Sequence, residues 1–519
     1  MKFTPGITGL CAAMAVAWVG QAGAGGVGTA YEVWLSDQTN SQGLTTAVPL
    51  GTHGGFIRVY DGADLEQNPP VNNPLNLDVT TIFPGALAST GGNLSRIHGI
   101  LPSSDHKHMA ASFVVSGHLG IIDGASKTGV CLFRSTGYGS PVVRQNHMSF
   151  WSPDGSKLIL ANQNGKAMER VDVVRNTNGV LTGYNFNAAA TLDLVGGRTP
   201  TAAPVAVDMN PSDGISCTLS GTVASGQPTT TPSGASKEGT GRTNNSVICP
   251  IAASNSVHSY ATLAGGGMFV IDMTTTPMAI VAEYTTSTIR NAGCGGIEAS
   301  GYMHINSGTS AAAPTESEFT MYRFDIGDFP VAPGFNASNT PAPVAVFADP
   351  DNGKNCATDP SCATTANRDS HGMVLVRNVI SGAPRYIHQF DRIRNNVEVF
   401  KMSPPWSTFR HEGSYTLTGS GTCGTTPGSP VFDDPTPDLL DLSVADAPDG
   451  GRIYVGNRGP VPLTVSHAAT GSCPGLAVVT MDPNRKGGAL TNVLPTTHMS
   501  LETTPRNISD PHAAIVRVK

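Results

Sequence analysis

Seven residues of this chain, His98, His147, Cys249, Cys294, His371, Asp438 and His512, are of types that ligate transition metals and fall at one position of a repeat. Each opens an apolar run: His98-Gly-Ile-Leu, His147-Met-Ser-Phe-Trp, Cys249-Pro-Ile-Ala, Cys294-Gly-Gly-Ile, His371-Gly-Met-Val-Leu, Asp438-Leu-Leu-Asp-Leu and His512-Ala-Ala-Ile-Val. A set that mixes imidazole and thiolate suits copper, with zinc as the alternative, better than calcium or magnesium, which favour oxygen ligands. Other readings stay open at the same positions. A polar residue can simply satisfy the backbone where a strand begins. Cys249 and Cys294 belong to adjacent units and can form a disulfide, and Asp438 can cap a turn.

Arginines form a second pattern. Arg96, Arg144, Arg290 and Arg368 stand a few residues ahead of anchors, and Arg242 and Arg506 somewhat further ahead. Gathered on one rim they would make an electropositive funnel that clamps an anion beside the metal. The alternative is ordinary surface arginines paired with the aspartates that end strands, such as Asp123 or Asp272. His106, His108, His258 and His304 lie on or beside second strands and read as hydrogen-bonded or exposed histidines, with His108 and His258 able to support ligands.

The elements that must position these groups are legible in His147 to Asp172. This stretch reads as three short strands, with Ser-Pro-Asp-Gly as the first turn and Asn164-Gly165 as the second, a dipeptide that accepts φ > 0 at both positions. So small a unit cannot bury its own faces, and it recurs. Sliding the stretch back places His98 on His147 and Asp105 on Asp154; sliding it forward places Cys249 there, and further copies start at Cys294, His371 and Asp438. The chain ends supply the seventh. Tyr31-Glu-Val-Trp-Leu-Ser-Asp and Gly55-Phe-Ile-Arg-Val-Tyr-Asp61 are second and third strands without a first, and Asp510 to Lys519 is a first strand with nothing after it. The expected fold is all-β, a seven-bladed β-propeller closed by pairing the C-terminal strand with the N-terminal blade, which removes the free sheet edges.

Composition agrees. Among 519 residues, 60 Gly and 38 Pro with only 13% charged residues suit many turns rather than helices. The net charge of −7 comes with no basic stripe, so no nucleic-acid partner is expected. Lys2, the short apolar run Ile7 to Val19 and Ala22-Gly-Ala24 read as a signal peptide over 1–24, followed by one propeller over 25–519. Leu10 before Cys11 makes a poor lipoprotein site, no other stretch approaches membrane-spanning length, and a periplasmic or secreted protein is expected. Insertions are expected near 208–245, 327–368 and 401–434, as surface excursions that could also meet a protein partner. Export permits disulfides: Cys356 with Cys362 across a short loop, and Cys423 with Cys473 as a further pair.

The Ser-Pro-Asp-Gly-Ser-Lys-Leu turn and the strands ending in Val-Ile-Asp or Ile-Ile-Asp resemble the YVTN and lactonase-like seven-bladed propellers over most of residues 31–519, a likeness of architecture. The axial histidines resemble those of nitrous oxide reductase and thiocyanate dehydrogenase, families in which such residues hold a multi-copper cluster acting on a small inorganic substrate. That resemblance implies metal binding at His98, His147, His371 and His512. Two cysteines and one aspartate at equivalent positions depart from it, and no cupredoxin domain follows to deliver electrons. The functional expectation is an exported copper-dependent oxidoreductase acting on a small, anionic molecule at the channel mouth. Its alternatives are a metal-free propeller binding protein or glycan, and a metal carrier without turnover. No residue set marks a lactonase, and no nucleophile elbow, phosphate loop or dinucleotide fingerprint is present.

Overall fold

Innermost strands carry near-continuous apolar runs because both of their faces are covered, and the structure buries them so: Pro511–Val518 is buried at all but its last residue. A computed structural model describes residues 30–38, 53–138, 143–194, 215–219, 224–226, 246–290, 292–308, 315–331, 340–364, 366–377, 384–404, 408–417, 437–442, 450–459, 471, 473–496 and 509–519. The signal segment, Arg242, Arg506, Trp406, His467 and Cys423 lie outside the described residues.

The described strands form seven blades of four antiparallel strands each. From the axis outward, blade 1 is Pro511–Val518, Tyr31–Asp37, Phe56–Asp61 and Leu75–Asp78. The six others follow in chain order, with innermost strands Ile97–Pro102, Asn146–Trp151, Val247–Ala252, Ala292–Ala299, Ser370–Arg377 and Pro437–Leu442. Ring closure is as expected. The C-terminal strand pairs antiparallel with Tyr31–Asp37, placing Ile515 opposite Trp34 and Val516 opposite Val33. A parallel bridge between Leu439 and Ala513 carries the contact on to blade 7. Apolar side chains pack between neighbouring blades: Trp34 and Ile57 of blade 1 share a cluster with Ile97, Ile100 and Phe113 of blade 2.

Turns before the second strands repeat at the level of side chains. Ser152 Oγ donates to Asp154 (2.6 Å), whose Oδ1 accepts from the Ser156 amide (3.0 Å). Ser103 and Asp105 do the same in blade 2, and Asn255 accepts the Val257 and His258 amides in blade 4. The next residue is left-handed each time, Gly155 at φ 65°, His106 at 57° and Ser256 at 56°. An Asx turn that leaves one residue in this region explains the recurring Asp or Asn.

Three sequence expectations change. The Asn164-Gly165 turn does not take positive φ at its central pair; Lys166 does, at 50°, after its amide bonds to Gln163 O. Two of the three insertions supply outer strands. Val344–Ala348 is the outermost strand of blade 5 and Thr408–Thr416 that of blade 6. Within 208–245, Ile215–Thr218 extends blade 3 and Ala224–Gly226 runs parallel to Gly129–Arg134 of blade 2, so this segment ties two blades together. A disulfide between Cys131 and Cys217 reinforces the tie. The expected Cys356–Cys362 disulfide is present. Cys473 is also disulfide-bonded, while Cys423 lies outside the described residues.

Candidate metal centre

Six of the seven anchors share one backbone device. In every blade the pairing between the innermost strand and its neighbour slips near the anchor: Ile97 opposes Phe113, but Gly99 opposes Ser112, leaving His98 as the extra residue. Equivalent shifts take in His147, Cys294, His371, Asp438 and His512. In blade 4 the extra residue is Ile248, and Cys249 stays in the ladder opposite Thr262. A bulge frees one residue from the ladder and re-aims its side chain. Here the bulged residues include the four histidines that gather below.

Buried ion pairs hold two of the anchor strands. Asp510, two residues ahead of His512, receives Arg458 through Nε (2.6 Å) and Nη2 (2.8 Å). Asp369 stands in the same relation to His371 and receives Arg392 Nε at 2.7 Å. Sequence reasoning did not find these four residues. The recurring Asp-Xaa-His, with Arg392 just past the second strand of blade 6 and Arg458 just past that of blade 7, was the signal available. Glycine lets backbones meet at the same level: a Cβ on Gly295 would lie 1.9 Å from His371 O.

The four imidazoles gather. Taken in the order His147, His98, His512, His371, successive ring centroids are 4.3, 3.6 and 6.1 Å apart. His98, His512 and His371 are buried and His147 is half-buried, so the cluster meets solvent on its His147 side. His512 Nδ1 lies 2.9 Å from the His98 carbonyl oxygen. A carbonyl only accepts, so Nδ1 carries the proton and Nε2 is the basic nitrogen, the arrangement in which a metal-binding imidazole is held by a backbone acceptor. Ser36 Oγ donates to the same carbonyl at 2.8 Å, and Asn306 Nδ2 donates to His371 O at 2.8 Å, so both anchor backbones are fixed from neighbouring strands.

Between the two readings left open for Cys249 and Cys294, the structure shows the disulfide. While it is intact neither sulfur is a thiolate, so Cys249 and Cys294 are not ligands in the resting set, a correction to the metal-binding reading of these two anchors. The bond lies against the cluster: His147 Nδ1 is 4.0 Å from Cys249 Sγ and 3.8 Å from Cys294 Sγ. Asp438 takes its anchor position on the blade 7 strand, whose side chains lie outside the description.

The arginine funnel gives way in part. Arg368 is buried and donates to Asp391 (2.7 Å), Asp349 (2.9 Å) and Glu398 (2.7 Å), with its guanidinium 3.9 Å from the Phe319 ring centroid. Those carboxylates outnumber its charge and raise its pKa above the ordinary value despite burial. Arg290 donates to Glu318 at 2.9 Å, a bond that also raises its pKa. Arg368 is thus committed to carboxylates of the protein, whereas the Arg290 side chain is 44% exposed. Arg96 has a left-handed backbone, and burial lowers its pKa while Asp510 raises it. Arg144 donates to Ser135 O at 3.1 Å, and burial lowers its pKa too. His108, His258 and His304 on second strands are buried in the sheets, where His304 was expected to be hydrogen-bonded or exposed. His258 bonds Pro330 O (3.0 Å), buried His108 sits edge-on to Tyr184, and His304 stacks on Phe409.

No family model matches the sequence, and no curated protein matches it. Among solved structures, the chain is similar to a protein of Bacteroides fragilis described as a 6-phosphogluconolactonase (10% identity, 94% of this chain and 98% of that one, TM-score 0.49). It is similar also to the periplasmic gluconolactonase of Pseudomonas aeruginosa (12%, 95% and 100%, 0.48) and to a protein from Lactobacillus plantarum (9%, 94% and 99%, 0.46). The activities those names print belong to those proteins; the blade count here stands on the strand pairing. The chain is a seven-bladed β-propeller with four histidines gathered at its axis.

Proposed function

We propose that this chain is an exported propeller that holds a transition metal, copper by preference, among His98, His147, His371 and His512, and serves redox chemistry on a small molecule at the axial mouth. One observation carries the reading: four imidazoles from four blades lie ring against ring, three of them buried. Nitrogens sharing one ion at about 2.0–2.1 Å stand roughly 3–4 Å apart. The His98 ring centroid lies 4.3 Å from that of His147 and 3.6 Å from that of His512, with His371 further out at 6.1 Å from His512. Among the described residues no three of these histidines bring ring nitrogens within 4.8 Å of one another, so four donors spread over more than one ion fit the spacing better than a single ion. An imidazole-rich set suits copper, with zinc next. Copper, when bound, supplies a one-electron couple. The protein fixes the tautomer at His512, holds the anchor backbones rigid, and leaves access past His147. Export is supported by Lys2, the apolar run Ile7 to Val19 and Ala22-Gly-Ala24, and by disulfides that fit an oxidising compartment.

Elemental analysis of untagged protein tests the metal. Copper or zinc near one equivalent or more per chain, lost in His147→Ala with an unchanged fold, is the expected result. Protein without metal after exposure to copper would instead make this a metal-free binding propeller. Bound metal without turnover, in a screen of small anions against an electron acceptor, would make it a carrier.

A further inference from the structure

We propose that the Cys249–Cys294 disulfide is a redox gate on the axial site, and that its reduction creates a three-donor set of His147, Cys249 and Cys294 for a soft metal ion. This rests on the axial metal reading but concerns a second, conditional set of donors. His147 Nδ1 and the two sulfurs all lie within 4.8 Å of one another. Donors around one ion, with metal–sulfur bonds of about 2.3 Å and metal–nitrogen bonds of about 2.0 Å, stand roughly 3.5–4 Å apart. The imidazole is already at that distance from both sulfurs; only the sulfurs must separate.

Glycines on both flanks give the backbone at Cys294 conformational freedom for that movement. Cys294 lies between Gly293 and Gly295, and the bulge there is the longest of the seven. Ala292 opposes Ser307 and Gly296 opposes Ile305, so Gly293, Cys294 and Gly295 together face Asn306 alone. Asn306, paired with Met321 on its other side, turns its side-chain amide to His371 O. A blade staple needs no imidazole beside it.

The chemistry balances with a dithiol as reductant. Its first thiolate attacks Cys294 Sγ, 5% exposed where Cys249 is fully buried, and Cys249 leaves as the thiolate. The second thiol of the reductant resolves the mixed disulfide, so the reductant departs as a cyclic disulfide and both cysteines hold thiols. Binding of a divalent ion then releases their two protons to solvent. Thiolates favour zinc and Cu(I), so reduction shifts the preference of the site towards softer ions.

Cobalt(II) and zinc(II) are the probes, titrated anaerobically into the full chain before and after dithiol treatment and desalting. To silence the other Cys pair near an acid, the same titrations are run with Cys356→Ser and Cys362→Ser. Reduced protein should show a sulfur-to-cobalt charge-transfer band that the oxidised protein lacks, and should bind zinc about tenfold tighter or more. The band should vanish in Cys249→Ser with Cys294→Ser and weaken in His147→Ala. The gate is overturned if reduction leaves both spectrum and affinity unchanged, if alkylation and mass spectrometry show that this disulfide resists reduction in the folded chain, or if circular dichroism shows that its reduction unfolds the protein. The two proposals separate cleanly: metal on the oxidised protein with no response to reduction sinks the gate alone, and metal only after reduction sinks the resting four-histidine site alone.

Discussion

His512 on the innermost strand of blade 1 and His98 on that of blade 2 face each other, with His512 Nδ1 2.9 Å from the His98 carbonyl oxygen and the two rings stacked at 3.6 Å. The contact joins the last strand of the chain to the innermost strand of blade 2, so closing the ring and setting the His512 tautomer are one event. A glutamine at this position keeps a donor for the carbonyl but no basic nitrogen. His512→Gln should therefore lower bound metal by about tenfold or more, on the scale of losing one ligand. Its melting temperature should stay close to wild type. Full metal occupancy in this variant would remove His512 from the site.

Truncation tests ring closure directly. Removing residues 510–519 takes away the partner of Tyr31–Asp37, and with it the packing of Ala514, Ile515 and Val516. Blade 1 would then present an apolar edge. Soluble yield should collapse. A truncated protein that stays monomeric with an unchanged melting curve would overturn the closure argument.

Arg368 separates structural arginines from substrate-binding ones. Its loss leaves Asp349, Asp391 and Glu398 gathered without their cation, and breaking one side of a buried ion pair costs about 3–5 kcal/mol. Arg368→Met should lower the denaturation midpoint strongly while metal content of the folded fraction holds. Normal stability with a raised KM would restore Arg368 to the anion funnel.

A pH dependence follows from buried neutral histidines away from the axis. His388 bonds the Tyr415 hydroxyl (3.1 Å) and Arg485 O (3.0 Å), and burial lowers its pKa from 6.5 to about 4. Burial likewise lowers His304 to about 3. The unfolded chain takes up these protons first, so the contribution is fully present above about pH 6.5 and is lost as pH falls through the folded values. Denaturant melts at about pH 5 should therefore show less stability than at about pH 7.5. His388→Gln, which does not titrate, should flatten the slope. An equal slope in the variant would place the effect elsewhere.

The sequence by itself determined the blade count, the closure and the gathering of the histidines. Those follow from a repeat: apolar runs mark strands buried on both faces, and residues equivalent by repeat are related by rotation about the axis, so His98, His147, His371 and His512 had to converge. Outer strands were another matter. Thr408–Thr416 and Val344–Ala348 are largely exposed and carry no strong apolar alternation, so they read as insertions until partners across the sheet were seen. The extra turn residue at Lys166 was hidden likewise, because a left-handed position can be taken by a residue whose type does not announce it. Charge pairing was decided only in three dimensions. Arg368 and Arg290 sit at the expected places in the chain, but the carboxylates that claim them come from distant strands, and distance in sequence conceals distance in space. The state of Cys249 and Cys294 was likewise open, since ligand and disulfide ask for the same residues on adjacent blades; what settles it is how closely two anchors approach when seven bulged strands meet around one axis.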